Sequence, residues 1–170
     1  AVDITISYLF LTHCHYDHVG GAAALKDQYG CKIVAHQLDA AYLESGDSQV
    51  TAASWYGTKM PPLIIDHKIE GHTEIFELDN RKVLAYHCPG HSPGSLVYLV
   101  KLENQKILFG QDVHGPLDPS LLSDREDYIR SLKFMMGLKA DILCEGHFGI
   151  YKGNDNINKF IQSFMNLSQK

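Results

Sequence analysis

Four strand-like runs of this chain end in a histidine or an aspartate, and this recurrence limits the possible folds more than any other feature. The positions are residues 13–18, His91, Asp112 and His147. Side chains at strand ends sit on rigid supports and can converge in space, although the strands are far apart in sequence. The runs alternate with helical patterns, which predicts a layered α/β fold. A chain of 170 residues is long enough to form one such domain, over residues 1–170.

The hydrophobic pattern predicts the order of the elements. Strands are expected at residues 3–11, 32–35, 63–69, 73–78, 82–86, 95–102, 106–109 and 140–144. Helices are expected at residues 21–29, 37–44, 125–136 and 154–167. Residues 45–60 are polar and lack a clear period, so this segment is expected to be a loop that could carry specificity.

The first histidine cluster has the spacing of a metal site. His13 and His15 are two residues apart, so in an extended backbone they point to the same side. Imidazole suits borderline metals such as Zn²⁺, and a carboxylate adds a hard oxygen ligand. Asp17 and His18 follow too closely for one tetrahedral ion to use all four side chains. The cluster therefore supplies enough ligands for two ions.

Composition excludes several classes of partner. The net charge of −5 and a pI near 6.0 argue against a protein that binds a nucleic-acid backbone. No apolar run approaches the roughly 18 residues that a membrane span needs. The four cysteines are scattered, which is typical of reduced thiols and predicts a cytoplasmic protein.

Four motifs in order resemble those of the metallo-β-lactamase superfamily. Residues 12–18 (THCHYDH) with the following glycine pair resemble its THxHxDH signature, and residues 89–95 (PGHSPGS) resemble its PGHTxGS loop. Residues 109–112 (FGQD) resemble FxGD, with Gln111 inserted before the aspartate. Residues 145–149 (EGHFG) resemble PGHG, with Glu145 in place of proline and Phe148 inserted.

The resemblance implies a four-layer αββα sandwich with the site at one edge. It implies that one metal is held by His13, His15 and His91, and a second by Asp17, His18 and His147. Asp112 would bridge the two. The implied cofactors are two divalent ions, with zinc favoured and iron or manganese as alternatives.

The motifs and the size are similar to the glyoxalase II-like branch, which implies hydrolysis of an ester-like bond in a small molecule. A hydroxide bridging two metals would attack the carbonyl carbon of a thioester, lactone or related compound. The catalytic residues implied are Asp112 and Asp17, the latter accepting the proton that passes to the leaving group. His114 follows Asp112 by two residues and is a candidate substrate contact.

Two other activities share these motifs. Persulfide dioxygenases resemble the same branch and use a single iron at the positions of His13, His91 and Asp112, a ligand set suited to oxygen chemistry. The third candidate activity is that of a phosphodiesterase. The negative net charge argues against a nucleic-acid substrate for such an enzyme.

The segment before the first motif departs from the family pattern. Family members have several strands before the first motif, whereas twelve residues precede His13 here. One sheet would then lack strands, so either this chain is a fragment, or a partner chain or a neighbouring subunit supplies the missing strands.

Overall fold

The computed structural model describes residues 5–165, which form two β-sheets flanked by helices. The first sheet has three parallel strands in the order β1-β2-β3. These strands are β1 (Tyr8–Phe10), β2 (Lys32–His36) and β3 (His67–Ile69). Parallel neighbours need a crossover connection, so helical segments separate β1 from β2 and β2 from β3.

The second sheet has six strands in chain order, β4 to β9. They are β4 (Thr73–Leu78), β5 (Arg81–His87), β6 (Leu96–Leu102), β7 (Gln105–Phe109), β8 (Ile142–Glu145) and β9 (Gly149–Lys152). The β7–β8 pair is parallel and the other neighbours are antiparallel. The parallel pair needs a long crossover, and a helix supplies it.

The described part of the chain has five α-helices, and the last four of them pack on the outer faces of the sheets. They are α1 (Tyr16–Val19), α2 (Ala22–Tyr29), α3 (Gln37–Ser45), α4 (Arg125–Gly137) and α5 (Asn154–Met165). Asp124 caps α4, because its side chain accepts a hydrogen bond from the Asp127 backbone N–H at 2.8 Å. Short 3₁₀ turns occur at Ala53–Tyr56 and Pro119–Leu121.

Three hydrophobic clusters separate the four layers. The first, around Ile33 and Leu43, joins the three-stranded sheet to α2 and α3. The second, around Val34, Phe76 and Tyr98, fills the space between the sheets. The third packs the six-stranded sheet against α4 and α5. Ile33 and Val34 are neighbours in β2 and belong to different clusters, as alternation along a strand requires. The expected αββα sandwich is therefore confirmed.

Some element boundaries differ from those expected. Only residues 8–10 of the predicted first strand form β1, and residues 3 and 4 lie outside the described residues, as do residues 166 and 167 of the last predicted helix. Residues 63–66 do not join β3. At Asp66, the side chain rather than a backbone carbonyl binds the neighbouring strand. Its carboxylate accepts hydrogen bonds from the Ile33 backbone N–H and the Lys26 ammonium, at 2.8 and 2.7 Å. Strand β9 and both 3₁₀ turns were not predicted.

Between residues 5 and 165, no helix has the combination of length and apolar character that a bilayer crossing needs.

Candidate metal centre

The seven predicted ligand residues come together at one edge of the sandwich. His13 and His15 lie just after β1, and Asp17 and His18 lie in α1. The other three follow strands of the larger sheet: His91 after β5, Asp112 after β7 and His147 after β8. Both sheets therefore contribute to one cluster.

The deeper part of the cluster consists of three buried histidines. One ring nitrogen from each of His13, His15 and His91 lies within 4.8 Å of the others. The residues are 2%, 4% and 1% exposed, and the Nε2 atom of each lacks a hydrogen-bond partner. Buried polar atoms are normally satisfied, so three unpartnered nitrogens aimed at one point fit a bound cation.

The outer part of the cluster consists of Asp17, His18 and His147 and is more open to solvent. The Nε2 atoms of His18 and His147 are 3.1 Å apart. The Asp17 Oδ2 atom lies 3.2 Å from the His147 Nε2 atom and 3.5 Å from that of His18. Two imidazoles and a carboxylate form a second donor set of the kind that divalent metals use.

Asp112 lies between the two parts. Its Oδ1 atom is 3.2 Å from His18 Nε2, and its Oδ2 atom is 3.3 Å from His147 Nε2 and 3.6 Å from His91 Nε2. The carboxylate thus contacts members of both donor sets, which is the position that a bridging ligand occupies.

The pKa values of the three most deeply buried histidines fit the neutral state that a metal ligand needs. Burial lowers the pKa of His13 well below its usual value, that of His15 to about 3 and that of His91 to about 4. These rings are neutral at pH 7 and can offer a lone pair. Burial also opposes the charged form of His18, but the neighbouring carboxylates Asp112, Asp17 and Glu145 together outweigh it and raise the pKa of His18. The Asp112 pKa is lowered, because the neighbouring histidines outweigh its burial.

Contacts with surrounding groups orient the ligands. His91 donates from Nδ1 to the Pro116 carbonyl oxygen at 3.0 Å, which leaves Nε2 facing the cluster. Tyr56 lies at the mouth beside Asp17. Burial and the Asp17 carboxylate raise the pKa of Tyr56, so its phenol stays protonated. The Thr51 carbonyl oxygen accepts a 2.8 Å hydrogen bond from the Tyr16 backbone N–H. This bond joins the segment that leads to Tyr56 to the chain between His15 and Asp17.

Asp39 joins two of the ligand-bearing loops, a role that the sequence analysis missed. This residue of α3 is 1% exposed and accepts hydrogen bonds from Cys14 N–H, Ser92 Oγ–H and Gly94 N–H, at 2.9, 2.6 and 2.6 Å. The one available signal was its place on the apolar side of the helix, four residues before buried Leu43.

Glu145 organises the last ligand loop. Its side chain is 0% exposed, and its Oε2 atom accepts hydrogen bonds from the backbone N–H groups of His147 and Phe148, at 2.8 and 2.7 Å. Its Oε1 atom accepts from His114 Nδ1 at 2.8 Å. The structure thus places His114 next to the cluster, with its ring centre 5.2 Å from that of His147.

The remaining histidines are outside the donor groups. His36 stacks on His87 with ring centres 3.8 Å apart, and His72 stacks on His87 from 6.0 Å. His87 donates from Nε2 to the Pro93 carbonyl oxygen at 2.8 Å and so supports the loop that carries His91. His67 contacts Glu74 at 2.6 Å.

Replacing His36 with asparagine should reduce the acid sensitivity of folding and leave the metal content unchanged. Burial, followed by the charges of His87 and His72, lowers the pKa of His36 to about 4. The unfolded chain binds that proton near pH 6.5, so the wild type loses stability as the pH falls from about 6.5 to about 4. Asparagine keeps a side-chain acceptor for the Leu38 N–H that His36 Nδ1 now caps.

The measurement is urea unfolding at pH 7 and pH 5, together with elemental analysis. The stability lost between these pH values should be smaller in His36→Asn by about 1 kcal/mol, because the amide takes up no proton on unfolding. Equal acid sensitivity, or a changed metal content, would contradict this assignment.

Family comparison places this site in a known class. Residues 3–147 match the model of the metallo-beta-lactamase superfamily, and the chain belongs to that superfamily. Among curated relatives, the hydroxyacylglutathione hydrolase GloC of Haemophilus influenzae is 32% identical over 157 residues, covering 88% of this chain and 72% of the relative. The probable metallo-hydrolase YybB of Bacillus subtilis is 27% identical, covering 82% of this chain and 63% of the relative.

The family match and these relatives confirm the expected superfamily, with a hydroxyacylglutathione hydrolase, a glyoxalase II-type enzyme, among the relatives. The chain spans less than two thirds of the length of several curated relatives, including 56% of the acyl-coenzyme A thioesterase MBLAC2 of Gallus gallus. The crystal structure of the BLEG-1 B3 metallo-beta-lactamase has a TM-score of 0.79 at 24% identity, covering 96% of this chain and 79% of that chain. This similarity supports the fold.

Proposed function

We propose that this chain is a metal-dependent hydrolase of thioester-like carbonyl compounds, with two divalent ions at its centre and zinc as the favoured metal. The observation that carries the proposal is the pair of donor sets that share contact with Asp112, with three buried Nε2 atoms left unpartnered. A hydroxyacylglutathione hydrolase and an acyl-coenzyme A thioesterase among the relatives support the thioester class.

Divalent ions at such a centre supply a nucleophilic water at neutral pH and positive charge that polarises a carbonyl group. In the hydrolysis, the water oxygen bonds to the acyl carbon, the carbon–sulfur bond breaks and one water proton reaches the sulfur. His13, His15 and His91 would hold one ion, His18 and His147 would hold the other, and Asp112 would contact both.

The exposure of Asp17 supports a role for its carboxylate in proton transfer. Its side chain is 26% exposed, compared with 6% for Asp112, so it lies on the side that a substrate reaches. We assign its carboxylate the transfer of the proton to the leaving sulfur, in addition to its place in the outer donor set. The Tyr56 phenol beside Asp17 is placed to orient this carboxylate.

The test is elemental analysis of the purified protein, followed by assays of the zinc-loaded form with thioesters and lactones. We expect two metal equivalents per chain and release of thiol from thioesters. A fully loaded protein that turns over neither group would contradict the proposal. One equivalent of iron, with oxygen uptake in the presence of glutathione persulfide, would instead favour the dioxygenase alternative.

A further inference from the structure

Phe148 is an unusually exposed aromatic residue directly beside the candidate metal centre. It follows His147 in sequence, and 58% of its surface is accessible. Large apolar side chains at the mouth of a polar site commonly contact the apolar part of a ligand, because covering them removes apolar surface from water. Metal binding does not explain why a large apolar side chain is exposed at this position.

The ring of Phe148 rests on further aromatic rings from α5. Its centre lies 6.3 Å from the ring centres of both Phe160 and Phe164, which are 5.1 Å from each other. Tyr151 stacks on Phe160 with ring centres 4.0 Å apart. Since rings packed at these distances restrain one another, Phe148 is the exposed top of a supported apolar surface.

His114 forms the polar side of the same surface. Its ring centre lies 4.7 Å from that of Phe148. The His114 Nδ1 atom lies 2.8 Å from the Glu145 Oε1 atom, and the two side chains share a hydrogen bond. The His114 ring is thereby fixed in orientation next to an apolar face.

Glu145 ties this surface to the metal centre. It accepts hydrogen bonds from the N–H groups of both His147 and Phe148, so the candidate ligand and the aromatic ring belong to one braced turn. A substrate whose carbonyl group reaches the metal centre would thus place its neighbouring group against Phe148.

The carboxylates nearest this surface are paired with imidazoles. The ion pairs of Asp17, Asp112 and Glu145 in the described residues are all with histidines. The part of the surface next to the metal centre therefore offers rings, and apolar area and ring stacking would supply its binding energy.

We propose that Phe148 and His114 form a substrate subsite, held in place by Glu145, which binds an apolar aryl group on the acyl side of the substrate. This inference rests on the proposed hydrolase function and deepens it by naming the class of acyl group.

The test compares hydrolysis of a phenylacetyl and an acetyl thioester of the same thiol by the zinc-loaded protein. We expect kcat/KM to be about tenfold higher for the phenylacetyl compound, and Phe148→Ala to remove this preference through KM. Phe148→Tyr should retain the preference, because the ring is kept. Ile150→Ala is the matched control, since Ile150 is 66% exposed on the adjoining strand β9.

A binding measurement separates this inference from the proposed function. Calorimetry with phenylacetate and acetate on the zinc-loaded protein should show tighter binding of phenylacetate, and Phe148→Ala should lose about tenfold of that affinity. If no thioester is hydrolysed but this loss occurs, the hydrolase proposal fails and the subsite stands. If thioesters are hydrolysed and Phe148→Ala changes neither measurement, the subsite is overturned.

Discussion

Replacing Asp112 with alanine should lower kcat/KM on the order of 1,000-fold or more and reduce the metal content from two equivalents to one or none. The physical reason is that one carboxylate contacts both donor sets, at 3.2 Å from His18 and 3.6 Å from His91. Its removal takes away the negative charge that offsets two cations and leaves the surrounding imidazoles without an anionic partner. Elemental analysis and steady-state kinetics on the same preparation measure both effects.

Two further variants define the Asp112 effect. Asp112→Asn keeps the shape and one oxygen ligand but not the charge, so its metal content should lie between those of the wild type and the alanine variant. Asp27→Ala, on the exposed side of α2, should match the wild type. An Asp112→Ala protein that keeps two metal equivalents would show that this carboxylate is not shared.

Replacing Asp39 with alanine should lower the free energy of unfolding by about 3–5 kcal/mol, because it leaves buried donors without their acceptor. The three groups that lose a partner are Cys14 N–H, Ser92 Oγ–H and Gly94 N–H. These donors lie in the loops that carry His13, His15 and His91, so metal affinity should fall as well.

Urea unfolding of the metal-free and metal-loaded forms measures the Asp39 effect. Asp39→Asn retains one carbonyl oxygen and should lose less stability than the alanine variant. A metal-free Asp39→Ala protein within about 0.5 kcal/mol of the wild type would mean that the two loops are held by other contacts.

The residues that gather at this edge of the sandwich were predictable from the sequence because their signal is local. A histidine or aspartate directly after an apolar strand is visible in a short window, and the fold then brings His13, His91 and Asp112 together. The layered architecture was predictable for a similar reason, since strand and helix periods are properties of neighbouring residues. The assignment of individual ligands to two ions stays a prediction.

The contacts that hold the ligand-bearing loops in place could not be predicted from such short windows of sequence. Asp39 stands 25 residues from Cys14 and 53 from Ser92, so its role depends on how α3 packs between two loops. Tyr56 lies in a segment without periodicity. The hydrogen bond from Tyr16 N–H to the Thr51 carbonyl oxygen holds this segment beside the metal centre. Strand β9 has only four residues, and pairing with β8 rather than its own pattern makes it a strand.

The ligand residues are divided between the two sheets. His13 and His15 follow a strand of the smaller sheet, whereas His91, Asp112 and His147 follow strands of the larger one. A cation bound by both groups is a cross-link between the halves of the sandwich, so occupancy and unfolding are thermodynamically coupled. An ion present at 100 times its dissociation constant would add about 2.7 kcal/mol to the stability of the whole protein. A metal ion at this centre would therefore also hold the two sheets together.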